Sequence, residues 1–67
     1  MKNNIKRYRQ ALGLTQRALA KQLYISASTM YGWEHGRHDP SMPDAVRLAD
    51  VLGVTLDQLY RDGGAHV

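Results

Sequence analysis

The sequence predicts a single, compact all-α domain of five short helices, and three observations lead to this fold class. Apolar residues recur at helical spacing along the chain, and no stretch shows the alternation that is typical of strands. Glycine, proline and capping residues interrupt these stripes at short intervals, so each helix must be brief. The 67 residues include no cysteine, and 43% of them are hydrophobic, which allows one small core without disulfides.

The first three helices are predicted from their apolar stripes and their caps. Gly13 suits the position that ends the first helix, and Thr15 suits the N-cap of the second. Ser26 is the expected N-cap of the third helix, which Gly36 stops. The apolar residues expected to face the core from these helices are Ile5, Tyr8, Leu12, Ala18, Leu19, Leu23, Met30 and Trp33.

The last two helices have clearer start signals. Ser41 precedes Asp44 by three residues, a spacing typical of a capped helix, and Gly53 closes the stripe that follows. Thr55 and Gln58 predict a capping box at the start of a short fifth helix. The residues expected to face inward are Ala45, Leu48, Ala49, Leu52, Leu56, Leu59 and Tyr60.

Length and composition exclude several classes of protein. We expect one domain over residues 1–62 and a flexible C-terminal tail over residues 63–67. Apolar runs fall far short of the roughly 20 residues that span a bilayer, and the charged start does not resemble a secretory signal. We therefore expect a cytoplasmic protein with no membrane contact.

Charge is unevenly distributed along the chain. Residues 1–37 carry seven basic side chains and one acid, whereas residues 38–67 carry two basic side chains and five acids. The first part is therefore +6 and the second −3. Such polarity suits an anionic polymer or surface approached by one end of the molecule. Charge alone does not separate DNA from RNA or from an anionic membrane, nor any of these from an ordinary solvated surface.

The stretch from Gln16 to Glu34 is the most informative. Two predicted helices are joined there by only about three residues, Tyr24 to Ser26, which forces the helices to cross steeply. With Met30 and Trp33 inward, helical periodicity turns one set of residues outward: Ala27, Ser28, Tyr31, Gly32 and His35. This narrow, mostly uncharged ridge has a width that fits a DNA major groove.

A series of short motifs runs in order along the chain. They are Leu14-Thr15-Gln16, Leu19-Ala20, Leu23, Ile25-Ser26, Ser28-Thr29, Trp33-Glu34, Gly36, Pro40-Ser41, Leu48-Ala49, Leu52-Gly53-Val54 and Leu56-Asp57. With this spacing, residues 4 to 60 resemble the lambda-repressor-like, Cro/XRE-type helix-turn-helix family. The resemblance implies a five-helix DNA-binding domain of a bacterial or phage transcription regulator that binds its operator as a homodimer.

The resemblance also assigns roles to residues of this chain. The expected contacts to DNA phosphates are made by Thr15, Gln16, Arg17, Thr29 and Arg37. The positions expected to read bases are Ala27, Ser28, Tyr31 and Gly32. Arg9 and Glu34 match a partly buried salt bridge of the family that joins the first and third helices, and we expect it to have a structural role. The dimer is expected to form through Val54, Leu56 and Tyr60.

Three positions depart from the family pattern. Tyr24 stands where the family usually has a glycine with positive φ, which costs about 1–2 kcal/mol for any other residue unless the turn adjusts. Gly32 lies in mid-helix and costs about 0.8–1 kcal/mol relative to alanine. Ala27 can touch a thymine methyl group but makes no bidentate base contact. We therefore expect moderate sequence specificity that depends on Ser28, Tyr31 and DNA shape.

Enzymatic and metal chemistry find little support. His35 and His38, together with Asp39, suggest a metal site, but their spacing lacks a third strong ligand of known geometry. No nucleophile–base pair and no phosphate-binding loop is visible. We expect no cofactor, no metal, no small-molecule ligand and no enzymatic activity. The sequence predicts a sequence-specific, nucleoid-associated regulator of transcription, a repressor that reads double-stranded operator DNA. A DNA-binding antitoxin and a protein-interaction adaptor that has lost its DNA affinity remain alternatives.

Overall fold

The computed structural model describes residues 2–61, and the predicted tail over residues 63–67 lies outside them. Within the described residues the chain forms five α-helices and no strand, as the sequence predicted. Their bounds are α1 Ile5–Ala11, α2 Gln16–Gln22, α3 Ala27–Glu34, α4 Met42–Leu52 and α5 Leu56–Tyr60. None of these helices is long and apolar enough to cross a membrane.

The predicted N-caps of α2 to α5 are confirmed. Thr15 Oγ1 accepts a hydrogen bond from the backbone N–H of Ala18, and Ser26 Oγ accepts one from the backbone N–H of Thr29, both at 3.0 Å. Ser41 caps α4 in the same way, and Thr55 forms the predicted capping box with Gln58. Each cap satisfies a backbone donor that a helix start otherwise leaves unpaired.

Helices α1 to α4 all end in the same backbone arrangement, a Schellman motif. At the end of α3, the N–H of Gly36 bonds to the carbonyl of Trp33 and the N–H of Arg37 bonds to that of Gly32. The motif requires one residue in the left-handed region, and glycine supplies it three times, at Gly13, Gly36 and Gly53. At the end of α2 the same position is held by Tyr24, with φ of 58°. The turn therefore does not adjust to the missing glycine.

The core contains one fully buried side chain from each helix. These residues are Ile5, Leu19, Met30, Leu48 and Leu59. The cluster is completed by Ala20, Leu23, Trp33 and Leu52, and it holds together helices that are too short to be stable on their own. Leu12 departs from the prediction, because α1 ends before it and leaves the side chain 53% exposed in the following turn.

Polar contacts fasten the segments that the core does not cover. Asn4 donates its backbone N–H to Leu59 O at 2.7 Å and its side-chain amide to the carbonyls of Gln58 and Arg61. The start of the described chain is thereby attached to α5. Arg47 of α4 donates to the carbonyl of Leu23 and to Asp44, which anchors α4 to the end of α2.

We predict that Tyr24→Gly stabilises the domain. The Tyr24 ring is 92% exposed and contributes little packing, whereas its left-handed backbone costs about 1–2 kcal/mol. Glycine also stabilises the unfolded chain, through its greater conformational entropy, by about 0.4–1 kcal/mol. We therefore expect the free energy of unfolding, measured by thermal or urea unfolding, to rise by about 0.5–1 kcal/mol.

Tyr24→Ala is the matched control, since it removes the same ring and keeps the strained backbone. It should leave the free energy of unfolding close to that of the wild type. If the alanine and glycine variants prove equally stable, the left-handed conformation at this position is not strained.

Candidate nucleic-acid interface

The turn between α2 and α3 sets the angle at which α3 leaves the domain. Ala20 is buried where the two helices meet, and its carbonyl accepts the N–H of Ile25 at 3.0 Å. Ile25 is half-buried and packs against the core. Met30 and Trp33 attach one side of α3 to the core, so the opposite side faces solvent.

The exposed side of α3 begins at its first turn. Ala27 and Ser28 are exposed there, and Tyr31 follows one turn later with 41% of its surface accessible. Thr29 is half-buried, and its hydroxyl lies 2.9 Å from Ser26 Oγ, so this side chain takes part in the cap of the helix. The structure thus presents the predicted base-reading residues Ala27, Ser28 and Tyr31 as one accessible edge.

Gly32 does not belong to this edge, and its predicted outward position is wrong. It is buried, because the loop after α3 folds back and places the His38 ring over it. A Cβ atom on Gly32 would stand only 2.2 Å from His38 Nε2. Helical periodicity gave the direction of this position but contained no information about the loop that covers it. A glycine in mid-helix was the available signal, since it often marks a close approach by another group.

Tyr31 lies within a cluster of aromatic and cationic side chains. Its ring stacks on His35 with a centroid distance of 3.9 Å, and the guanidinium carbon of Arg37 lies 5.3 Å from its centroid. His35 Nδ1 lies 2.9 Å from the carbonyl oxygen of Tyr31. Because a carbonyl can only accept, Nδ1 carries the proton. The sequence analysis turned His35 outward but gave it no role, although its four-residue spacing from Tyr31 is that of neighbours on a helix face.

A buried ion pair connects α1 to the end of α3. Arg9 Nε donates to Glu34 Oε2 at 2.6 Å, and Arg9 Nη2 donates to Oε1 at 3.2 Å. The side chain of Glu34 is fully buried and that of Arg9 is 9% exposed. Arg9 Nη1 also donates to the carbonyl of Leu14 at 2.7 Å, which fixes the turn before α2.

Gln16 joins this ion pair from the first residue of α2. Its side-chain Nε2 donates to Glu34 Oε1 at 3.0 Å, and the residue is half-buried. A primary amide has two hydrogens, so one donor of Gln16 is assigned to Glu34 and the second can bind another group. Beside it, Thr15 and Arg17 are exposed, as is Arg37 in the loop after α3. The predicted phosphate-contacting residues at the start of α2 are therefore accessible, with Gln16 held by an internal bond.

The predicted dimer residues lie at α5 and the turn before it. Val54, Leu56 and Tyr60 are all half-buried, and Val54 and Tyr60 pack against the core with part of their surface. Burial raises the pKa of the Tyr60 phenol above its ordinary value of 10.0, and the negative charge of Asp39 raises it further. More strongly exposed apolar side chains are found on α4, at Met42 and Val46, which the sequence analysis did not single out.

Comparisons with known proteins show which sequences this chain is similar to. A helix-turn-helix family model matches residues 5–59. An uncharacterized HTH-type transcriptional regulator of Methanocaldococcus jannaschii is 40% identical over 60 residues, covering 90% of this chain and 91% of that protein. The HTH-type transcriptional activator BcrR of Enterococcus faecalis is 34% identical over 55 residues, which cover 82% of this chain and 27% of BcrR. The cryptic phage CTXphi transcriptional repressor RstR of Vibrio cholerae is 30% identical over 59 residues, which cover 88% of this chain and 53% of RstR.

We predict that Arg9→Ala strongly destabilises the domain. It leaves the Glu34 carboxylate buried without its cation, and breaking a buried pair in this way costs about 3–5 kcal/mol. Domains have a total stability of roughly 0.05–0.15 kcal/mol per residue, so chemical unfolding should show the loss of a third or more of it.

Arg61→Ala provides the control, because Arg61 pairs with Asp57 on the exposed surface of α5, where ion pairs contribute about 0–1 kcal/mol. Arg9→Lys should fall between the two, since lysine keeps the charge but not the bidentate geometry. Equal losses for Arg9→Ala and Arg61→Ala would contradict a structural role of the buried pair.

Proposed function

The chain belongs to the helix-turn-helix family of transcriptional regulators, and on this premise we propose that it is a repressor that reads the DNA major groove with α3. The observation that carries this proposal is the accessible edge of Ala27, Ser28 and Tyr31 on a helix whose other side is fixed in the core. The major groove is about 12 Å wide and admits one helix of this kind. DNA binding accords with a nucleoid-associated, cytoplasmic location.

The contacts to the DNA backbone are assigned to the start of α2. The second amide hydrogen of Gln16 is the proposed phosphate donor, since the first binds Glu34. Arg17 supplies a positive charge next to it, and Thr15 lies at the same exposed corner. Such contacts fix the register of a protein on the duplex without reading its sequence. Because Glu34 ends α3, the hydrogen bond between Gln16 and Glu34 links the proposed phosphate contact to the position of α3.

Base reading is assigned to three side chains with different chemistry. The Ser28 hydroxyl donates and accepts hydrogen bonds, the Ala27 methyl group suits a thymine methyl, and the Tyr31 ring and hydroxyl offer both kinds of contact. None of them makes the bidentate contacts that guanine and adenine receive from Arg, Asn or Gln. Gly32 is not proposed as a reader, because His38 covers it. Discrimination between sites therefore depends in part on DNA shape.

Repression and dimer formation are the finer parts of the proposal. The phage repressor RstR, which is 30% identical and covers 88% of this chain, supports repression. We propose that Val54, Leu56 and Tyr60 pair with the same residues of a second copy, because each keeps part of its apolar surface exposed. The two α3 helices would then meet half-sites roughly 34 Å apart on one side of the duplex.

Binding to mixed-sequence duplex should weaken steeply as salt concentration rises. The logarithm of the affinity should fall by about 0.9 per neutralised phosphate for each unit of log salt concentration. Arg17→Ala should reduce this slope by about 0.9, as measured by fluorescence anisotropy. Arg61→Ala removes the same charge from the opposite, acidic half of the chain and should leave the slope unchanged. A flat salt dependence of the wild type would instead favour the protein-interaction adaptor.

Gln16→Ala and Ser28→Ala should affect DNA binding in different ways. The first removes a phosphate contact and should weaken all sequences about equally, whereas the second removes a base contact and should change which sites are preferred. Selection from a random duplex pool measures this preference for each variant, and palindromic sites would support the homodimer. If Gln16→Ala leaves the affinity unchanged while the fold stays intact, the phosphate contact is assigned wrongly.

A further inference from the structure

We infer that His38 is a positioning residue for DNA binding, which acts by packing on Gly32 and holding Arg37 beside the reading edge of α3. The inference rests on the proposed function and goes beyond it. Arg37 is an exposed residue and a predicted phosphate contact, and the packing of His38 orders it before DNA arrives. His38 itself makes no contact with DNA.

The contact between His38 and Gly32 is close and depends on the absence of a side chain. Ring atoms Nε2, Cε1 and Cδ2 lie 2.2, 2.8 and 2.9 Å from the place where a Cβ atom on Gly32 would stand. The ring thus occupies the space in which any other residue would begin its side chain. A glycine in the middle of a helix is unfavourable for the helix, and the packing of this ring gives it a structural reason.

The same loop carries Arg37 next to Tyr31. The backbone N–H of Arg37 donates to the Gly32 carbonyl at 2.9 Å, so the loop is bonded to α3 at the residue on which His38 packs. The Arg37 guanidinium lies over the Tyr31 ring, a geometry in which a cation is attracted to the ring face. The loop is therefore fixed at two neighbouring points, the backbone N–H of Arg37 and the ring of His38, both of which contact Gly32. These two contacts direct the Arg37 side chain toward the accessible edge of α3.

The consequence for binding is a smaller entropic loss. A free arginine must give up its rotamers to hold a phosphate, whereas one already stacked on Tyr31 has lost part of that freedom. Because Tyr31 is a proposed base reader, the Arg37 cation lies where the backbone flanking the read bases passes. His38→Ala should free the loop and weaken DNA binding by about two- to tenfold, the range expected for ordering one long side chain.

Coupling between the two residues separates positioning from a general structural effect. Dissociation constants for one duplex should be measured for the wild type, Arg37→Ala, His38→Ala and the double variant. If His38 acts through Arg37, His38→Ala weakens binding in the wild type but by less than about twofold in the Arg37→Ala background. Equal losses in both backgrounds overturn the inference.

His38→Phe keeps a planar ring on Gly32 and removes the imidazole nitrogens. We expect it to bind DNA within about twofold of the wild type, since ring packing rather than charge is the proposed role. If His38→Phe binds as weakly as His38→Ala, His38 acts through its nitrogens and the positioning role is wrong.

A second experiment, without DNA, tests the contact itself. Gly32→Ala should raise the melting temperature less in the wild type than in the His38→Ala background, because in the wild type the new methyl group must displace the exposed His38 ring. In the His38→Ala background the same change should raise it by about 3–8 °C, the gain expected for alanine in a helix of a small domain. An equal rise in both backgrounds overturns the inference while leaving the proposed function intact. If the wild type shows no salt-dependent binding to duplex DNA, both the proposed function and this inference are contradicted.

Discussion

The buried ion pair between Arg9 and Glu34 is the constraint on which the arrangement of the first three helices depends. It joins α1 to the end of α3, and Arg9 extends it to the turn before α2 through the Leu14 carbonyl. A well-packed apolar pair at such a place is often as stable or more stable, so stability alone does not account for two charges in so small a core. An apolar pair would offer no acceptor to Gln16, however. The ion pair thus fixes the helices and orients a polar group at the proposed DNA surface at the same time.

The ends of the helices are determined locally, and this explains why the fold was predictable. Serine and threonine caps begin four helices, and left-handed residues end four. These features depend on a few neighbouring residues, which a sequence displays directly. The buried stripe of α4 was equally clear, because Ala45, Leu48, Ala49 and Leu52 all point to one side. Leu12 was misplaced since the same stripe rule was extended one residue beyond the end of α1.

The candidate site was less predictable than the fold, because it depends on contacts between distant segments or on side-chain conformations. Periodicity placed Ala27, Ser28 and Tyr31 on the exposed side of α3, and the structure has them there. It also placed Gly32 there, and could not have done otherwise, since the His38 ring reaches Gly32 through a loop whose path is not encoded by helical spacing. The bond from Gln16 to Glu34 joins residues 18 positions apart. Family resemblance supplied each residue with a role but not the link between them.

The attachment of Asn4 to α5 brings the two ends of the described chain side by side. Asn4 bonds to the carbonyls of Gln58, Leu59 and Arg61, so a short peptide could join the ends without disturbing a helix. The order of the helices along the backbone is therefore separable from their arrangement in space. A circular permutant opened in the exposed turn at Leu12 and Gly13 would cut the Schellman motif that ends α1 but leave the helices packed on the same core. It would change the sequence distance between α1 and α5 from the longest in the domain to one of the shortest. Connectivity, in this domain, is a variable that protein engineering can change while the helix-turn-helix unit stays intact.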